Sequence, residues 1–294
     1  MLIDTCRFAE TRAMSYEDNL RQAIQLTQAS LCAGIGKAGI LDVGFIGNTS
    51  GVYQWEPALI ADIDVCLFVR QKDAVLGQWL LARANDLRAT LDRLGVDFEL
   101  RVLRGPYKPA RWNLVRPVAI AHLAVFLPTD FGQEPSALRW AWRKYRCIVE
   151  PARFSAYSGK PPGWPELLEM ATRKLRRIQA ERIQMTEWEL PDFASRVWEF
   201  NASHPVFVEY CLEAPLLCAR NHGRVLGLPE SDRLSNREYV AWYRREVIAT
   251  VALEKILEMK EHARQRGYAG MLPRAKDIAA QYLVELIARI PPVP

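Results

Sequence analysis

The stretch that most constrains the fold is an apolar run, Ile60 to Val69, with aspartates at two alternate positions. In a strand, alternate side chains point to the same face, so Asp62 and Asp64 should project together from one side of a sheet. Neighbouring carboxylates repel and need a positive partner, and replacing either with asparagine should leave the metal-free stability level or raised. A divalent cation is the natural partner, because hard ions such as Mg²⁺ take oxygen ligands.

A small polar turn precedes this strand. It contains Gly47, Asn48, Thr49 and Ser50, and it follows a predicted strand at Ile40 to Ile46. The backbone N–H groups of such a turn can form a concave site that binds anions. A phosphate-binding turn close to a metal-binding pair of carboxylates indicates nucleotide chemistry.

A second acidic strand follows a predicted helix, at Val96 to Leu103. The chain therefore has a polar turn, a spacer, a strand with paired acids, a helix and a second acid-bearing strand, in that order. This order resembles that of the DNA polymerase beta-like nucleotidyltransferase superfamily. The resemblance covers roughly the first half of the chain, and it departs at Asn48, where the family usually has Ser. It implies transfer of a nucleoside monophosphate from a nucleoside triphosphate (NTP) to an acceptor hydroxyl, with release of pyrophosphate.

The third acid of the family has two candidates, Asp97 and Glu99, which face the same way along the strand. Glu99 is preferred, because an apolar and then a basic residue follow it, as in the family. The resemblance implies that Asp62, Asp64 and Glu99 bind two Mg²⁺ ions, with Mn²⁺ as the alternative ion. Glu99 would also accept the proton of the acceptor hydroxyl.

The triphosphate is expected at the polar turn and on one helical lysine. The predicted nucleotide-binding residues are Gly47, Asn48, Thr49, Ser50 and Lys174. Lys174 belongs to a basic run, Arg173 to Arg177, for which a solvated helix face is the alternative interpretation. There is no GxxxxGK[ST] motif, which argues against the commonest other class of phosphate-binding loop.

The acceptor is predicted to be a small molecule. The net charge of +5 is a mild excess that fits an anionic ligand without demanding nucleic acid. An RNA or tRNA end, a protein side chain and a second nucleotide remain open as acceptors. A non-catalytic nucleotide-binding protein is the hypothesis from a different class. The oligomeric state is left open.

The cysteines and histidines do not indicate another metal site. The six cysteines form no CxxC pair, which favours free thiols in a reducing cytosol. His122, His204, His222 and His262 show no metal-ligand spacing and are interpreted as structural. With no apolar run of membrane-spanning length and no signal-peptide pattern at Met1, a cytoplasmic protein without a membrane partner is predicted.

The fold class predicted from these patterns is α/β, in the α+β sense. Half of the 294 residues are apolar, enough for two ordinary domains. Residues 1–158 are expected to form a small mixed-sheet catalytic domain, and residues 159–294 an all-helical bundle that closes one wall of the cleft. Helices are predicted at 15–34, 74–94, 136–147, 206–220, 236–265 and 274–290, and helical spacing from Leu168 to Met185 predicts one more.

Overall fold

The computed structural model of the chain describes residues 15–46, 60–104, 116–133, 160–227 and 234–292. The predicted helix at 136–147 and the predicted boundary between residues 158 and 159 lie outside these ranges. In chain order, the described strands are β1 (Ile40–Ile46), β2 (Ile60–Val69), β3 (Asp97–Arg104), β4 (Val118–Phe126), β5 (Arg182–Glu189) and β6 (Ala194–Asn201). The described helices are α1 (Tyr16–Cys32), α2 (Ala74–Asp92), α3 (Pro128–Gln133), α4 (Trp164–Gln179), α5 (Pro205–Val225), α6 (Asn236–Glu246), α7 (Ala252–Arg266) and α8 (Leu272–Arg289).

The six strands form one mixed sheet in the order β1-β2-β4-β3-β5-β6. The three central strands, β2, β4 and β3, are parallel, and antiparallel strands extend the sheet on both sides. Strands β2 and β4 are largely apolar, as is typical of strands in the centre of a parallel sheet, whereas β3 carries charged residues at alternate positions. The α/β class with a mixed sheet is therefore confirmed.

Two capped helices, α1 and α2, pack with the first four strands around one buried cluster. Ser15 begins α1, because its hydroxyl accepts a hydrogen bond from the Asp18 backbone N–H at 3.2 Å. Asp73 begins α2 in the same way, with its carboxylate 3.0 Å from the Leu76 N–H. The helices predicted at 15–34 and 74–94 are thus confirmed, each two residues shorter at its C-terminal end.

A hairpin at residues 182–201 corrects the expectation of an all-helical second domain. Met185 lies in β5, which pairs with β3 in antiparallel register and so extends the sheet of the first domain. Ile183 and Met185 are buried while Arg182 and Gln184 are exposed, which is the two-residue period of a strand. The apolar residues from Leu168 onward have helical spacing because they belong to α4. The prediction extended that spacing to Met185 and so missed the start of β5.

The turn of the hairpin packs closely on α2. A Cβ atom added at Gly77 would lie 1.8 Å from the carbonyl oxygen of Pro191, so the two backbones meet at a position that has room only for glycine. Trp188, Leu190 and Phe193 pack against the buried cluster of α1 and α2. The hairpin therefore ties the second half of the chain to the first.

The helices α4 to α8 form a second buried cluster, which also receives apolar residues of the sheet such as Leu103 and Phe200. The single helix predicted at 236–265 is wrong, because the chain forms two helices, α6 and α7. The hydroxyl of Thr250 accepts a hydrogen bond from the Ala252 N–H at 3.2 Å, just before α7. In the part of the chain that the structure describes, none of the helices is long and apolar enough to cross a membrane.

Candidate metal centre

Asp62 and Asp64 lie on the same face of β2, as the alternation of the strand predicts. The intervening Ile63 and the following Val65 are fully buried on the opposite face, within the cluster of α1 and α2. The carboxylate side chains of Asp62 and Asp64 remain 25% and 45% exposed. The carboxylate pair is therefore held on a rigid strand and remains accessible from one side.

A histidine from the neighbouring strand reaches both carboxylates. In the parallel register of β2 and β4, His122 is paired with Asp64. Its Nδ1 atom lies 2.6 Å from Asp62 Oδ1 and 3.8 Å from Asp64 Oδ1. One ligand atom from each of the three residues falls within 4.8 Å of the other two. The interpretation of His122 as purely structural missed this contact, which makes it part of the candidate site.

The charge of His122 accounts for how two carboxylates coexist here. Burial lowers the pKa of His122, but the charge of Asp62 and its hydrogen bond to the ring, with a further contribution from Asp64, outweigh burial and raise the pKa to about 9. The ring is therefore an imidazolium at neutral pH in the metal-free protein. It supplies the positive partner that the paired aspartates require.

The signal for His122 was present in the sequence but incomplete. It is the single ionisable residue in the apolar run of β4, Val118 to Phe126. Its distance from Asp62 along the chain, however, gives no metal-ligand spacing, because the contact arises from the pairing of two parallel strands. Register between strands that are distant in sequence cannot be deduced from a local pattern.

Glu99 lies on the same face of the sheet, one strand further away. It is paired with Ile120 of β4, and Ile120 is paired on its other side with Asp62. With strands about 4.8 Å apart, the Cα atoms of Glu99 and Asp62 are separated by about 10 Å. Glu99 is therefore outside the group of three, and its role as third acid stays a prediction.

The hairpin contributes to the surroundings of Glu99. Glu99 Oε2 lies 3.5 Å from Arg101 Nε, and Arg101 Nη1 lies 3.8 Å from Glu187 Oε1 on β5. The indole N–H of Trp198 donates a 2.8 Å hydrogen bond to the other oxygen of Glu187. Charged residues thus continue across the sheet from β2 to β5, on the face that carries the aspartates, and Trp198 of β6 binds the last of them.

Asp97, the other candidate for the third acid, sits at the start of β3. Its side chain is 55% exposed and lies 3.6 Å from Arg116 Nη1, and Arg116 Nη2 lies 2.9 Å from Asp92 Oδ1. These are surface ion pairs at the end of the strand. The surroundings of the two residues therefore favour Glu99 over Asp97 as the residue that faces a ligand.

The predicted nucleotide-binding turn, with Gly47, Asn48, Thr49 and Ser50, lies outside the described residues. The strand that leads to it is described, and its last residue, Ile46, is paired with Asp64. Gly47 is bonded covalently to Ile46. The described part of β1 therefore ends opposite Asp64.

Lys174, the predicted triphosphate contact, lies within the helical part of the chain. Its Nζ sits over the ring of Tyr210 on α5, 5.1 Å from the ring centroid. Burial lowers the pKa of Lys174, and the charges of Arg177 and Arg173 lower it further. The contact with Tyr210 gives Lys174 a role in the packing of α4 on α5. Its assignment to the nucleotide stays a prediction.

The three donors Asp62, Asp64 and His122 fit a divalent ion, since two carboxylate oxygens and an imidazole nitrogen converge on one small volume. The set of Asp62, Asp64 and Glu99 fits less closely, because β4 separates Glu99 from the pair. No protein-family model matches the sequence, and no curated protein matches it. Function must therefore be inferred from the chemistry of the site itself.

Proposed function

We propose that the protein is a metal-dependent nucleotidyltransferase, which moves a nucleoside monophosphate from an NTP to an acceptor hydroxyl and releases pyrophosphate. The observation that carries the proposal is the convergence of Asp62 and Asp64 on one face of β2, where their ligand atoms and that of His122 lie within 4.8 Å of one another. The register of β1 supports it, because Ile46, opposite Asp64, immediately precedes the turn that begins at Gly47.

Asp62 and Asp64 would bind the divalent ion, Mg²⁺ or Mn²⁺, and Glu99 would provide the third acid for a second ion. The ion, when bound, supplies neutralising charge to the triphosphate and the leaving pyrophosphate. The turn at Gly47 to Ser50 would bind phosphate oxygens through its backbone N–H groups. The contribution of the protein is mostly positioning and electrostatic stabilisation.

The proton of the acceptor hydroxyl needs a base. In the proposed reaction the acceptor oxygen bonds to the α-phosphorus, and the bond from that phosphorus to the bridging oxygen of pyrophosphate breaks. The proton passes to the carboxylate of Glu99. Arg101, 3.5 Å from Glu99, would orient that carboxylate, and Glu187 in turn holds Arg101.

The acceptor is proposed to be a hydroxyl group on a small molecule. The net charge of +5 is low for a chain of this length that tracks a nucleic acid backbone. RNA, tRNA and protein acceptors are retained as alternatives, because the reaction at phosphorus is the same for each and product analysis separates them.

The proposal is tested by incubating the full chain with each NTP labelled at the α-phosphate, together with Mg²⁺ or Mn²⁺ and a metabolite extract, an RNA pool or a protein pool. We expect α-labelled product and free pyrophosphate from the wild type, and neither from Asp62→Asn or Asp64→Asn. Asp86→Asn is the matched control, because Asp86 is a 61% exposed residue of α2 that pairs with Arg83.

Two results would contradict the proposal. One is transfer of the γ-phosphate with retention of the α-label in the nucleoside diphosphate, which is kinase chemistry. The other is full activity of Asp62→Asn, because the carboxylate pair would then have no part in turnover. Mass spectrometry of the product identifies the acceptor class, and a label found only in RNA or protein would replace the small-molecule acceptor.

A further inference from the structure

We propose that His122 is a direct nitrogen ligand of the metal ion, so that Asp62, Asp64 and His122 form a mixed oxygen and nitrogen site that prefers Mn²⁺ to Mg²⁺. This inference deepens the proposed function and rests on it for the assignment of the two aspartates as ligands. It replaces an all-oxygen site, which the two aspartates alone would suggest.

The distances between the donor atoms suit one ion. His122 Nδ1 is 2.6 Å from Asp62 Oδ1 and 3.8 Å from Asp64 Oδ1, and a set of three donors lies within 4.8 Å. Ligand atoms around a single ion with bonds of about 2.1 Å are about 3–4 Å apart. An ion can therefore enter between the three side chains with only small side-chain movements.

The position of His122 leaves the ring little room to withdraw. Its side chain is 6% exposed, and its strand is paired on both sides, with Asp64 of β2 opposite it on one side and Arg101 of β3 on the other. An ion bound by the two aspartates would meet Nδ1 at ligand distance. Imidazole nitrogen binds first-row transition-metal ions, of which Mn²⁺ binds N-donor sites the most weakly, whereas Mg²⁺ favours an environment of oxygen atoms. The donor set therefore favours Mn²⁺ over Mg²⁺.

The test uses Mn²⁺ binding to the purified full chain in the absence of nucleotide, followed by electron paramagnetic resonance (EPR). Pulsed EPR of bound Mn²⁺ should show the coupling of a directly bound ¹⁴N nucleus. His122→Asn places an amide oxygen near the position of Nδ1 and should abolish that coupling. His204→Asn is the control, because His204 caps α5 by accepting from the Val206 N–H, a role that asparagine also fills. It should retain the coupling.

The ratio of dissociation constants gives a second measurement that needs no variant. Wild-type protein should bind Mn²⁺ about tenfold or more tightly than Mg²⁺, and His122→Asn should bring the two affinities within about threefold. A ratio near one for the wild type overturns the inference, even if His122→Asn does not fold.

The inference and the proposed function fail in different ways. Mn²⁺ that binds in an Asp62-dependent manner without a ¹⁴N coupling overturns the role of His122 and leaves the nucleotidyltransferase proposal intact. A coupling that persists in His122→Asn also overturns it. Protein that shows the ¹⁴N coupling but transfers no nucleotide supports the mixed site and contradicts the proposed reaction.

Discussion

His122 Nδ1 lies 2.6 Å from Asp62 Oδ1, more than an ångström closer than to Asp64 Oδ1 at 3.8 Å. The two aspartates, which look equivalent in sequence, therefore have different partners in the metal-free protein. Asp62 makes a charge-assisted hydrogen bond to the imidazolium, and Asp64 interacts with it at longer range. This difference changes what a substitution at each position should do.

The first prediction is that Asp62→Asn destabilises the metal-free protein by about 1.5–3 kcal/mol, the usual contribution of a hydrogen bond to a charged group. Asp64→Asn should cost less, because its oxygen is beyond hydrogen-bond distance. The measurement is urea denaturation with a chelator present. Repulsion between the carboxylates alone predicts no loss in either variant, so equal stability of both variants and the wild type would contradict the role given to His122.

The second prediction separates the two candidates for the third acid. Glu99→Gln should lower the rate of nucleotidyl transfer by about 10² or more, the range for loss of a general base. Asp97→Asn should have a smaller effect, because Asp97 is paired with Arg116 at the surface. Single-turnover kinetics with saturating NTP checks the order. A larger effect at Asp97 would move the role to that residue.

The third prediction concerns the turn after β1. Gly47→Val should weaken NTP binding more than Ser50→Ala does, because a branched side chain would block the approach of phosphate to the backbone. Ser50→Ala should weaken it about tenfold, which corresponds to loss of one charge-assisted hydrogen bond. Asn48→Ser, which restores the usual family residue, should be neutral or mildly beneficial. Calorimetry with each variant gives the affinities, and unaltered binding by a folded Gly47→Val protein would exclude this turn from the triphosphate site.

The fourth prediction is that Gly77→Ala destabilises the protein by about 2 kcal/mol or more. Within a helix, replacing glycine by alanine normally stabilises a protein by about 1 kcal/mol. A loss of stability would therefore have the opposite sign to the effect of helix propensity. Here the new Cβ would lie 1.8 Å from the Pro191 carbonyl oxygen, and the hairpin or α2 must move. A rise in the unfolding midpoint would show that the two backbones are not in contact.

The fifth prediction is a pH dependence that originates in the helical cluster. His222 Nδ1 lies 2.7 Å from the Tyr243 hydroxyl, and burial, aided by Arg289, lowers the pKa of His222 to about 4. The unfolded chain binds this proton near pH 6.5, so stability is complete above about pH 6.5 and declines as pH falls toward 4. The loss from this one group between pH 7 and pH 4.5 should be about 2 kcal/mol.

Unfolding curves of wild type and His222→Gln between pH 7 and pH 4.5 test the fifth prediction. The variant should show the smaller loss of stability on acidification, because it has no buried ring to protonate. His262→Gln is the control, since His262 is exposed on α7. Parallel curves for wild type and His222→Gln would assign the acid sensitivity to other groups.

Local patterns predicted the elements that carry the candidate site. The apolar run with aspartates at alternate positions is β2, at the residues expected, because polar positions two residues apart fit the period of a strand and not that of a helix. The capping residue Ser15 and the acidic start of α1 were equally readable. The face on which Asp62 and Asp64 lie also followed from the alternation of a strand.

Long-range pairing is what the sequence could not provide. His122 joins the site through the register of β2 and β4, and Glu99 stands apart because β4 lies between β3 and β2. Met185 was predicted in a helix because a short apolar pattern with interruptions fits both periods. The break between α6 and α7 covers residues 247–251, which carry no Gly or Pro to mark it in an otherwise helical pattern.

The pairing of β3 with β5 has a consequence for synthesis of the protein. Among the described strands, β5 is the one that covers the outer edge of β3, and β4, α3 and α4 lie between the two along the chain. A nascent chain that has emerged from the ribosome only as far as α4 would carry β3 without this neighbour. An open strand edge is a template for association with other chains. We therefore expect the isolated N-terminal half to aggregate on expression, although it contains every residue proposed to perform chemistry.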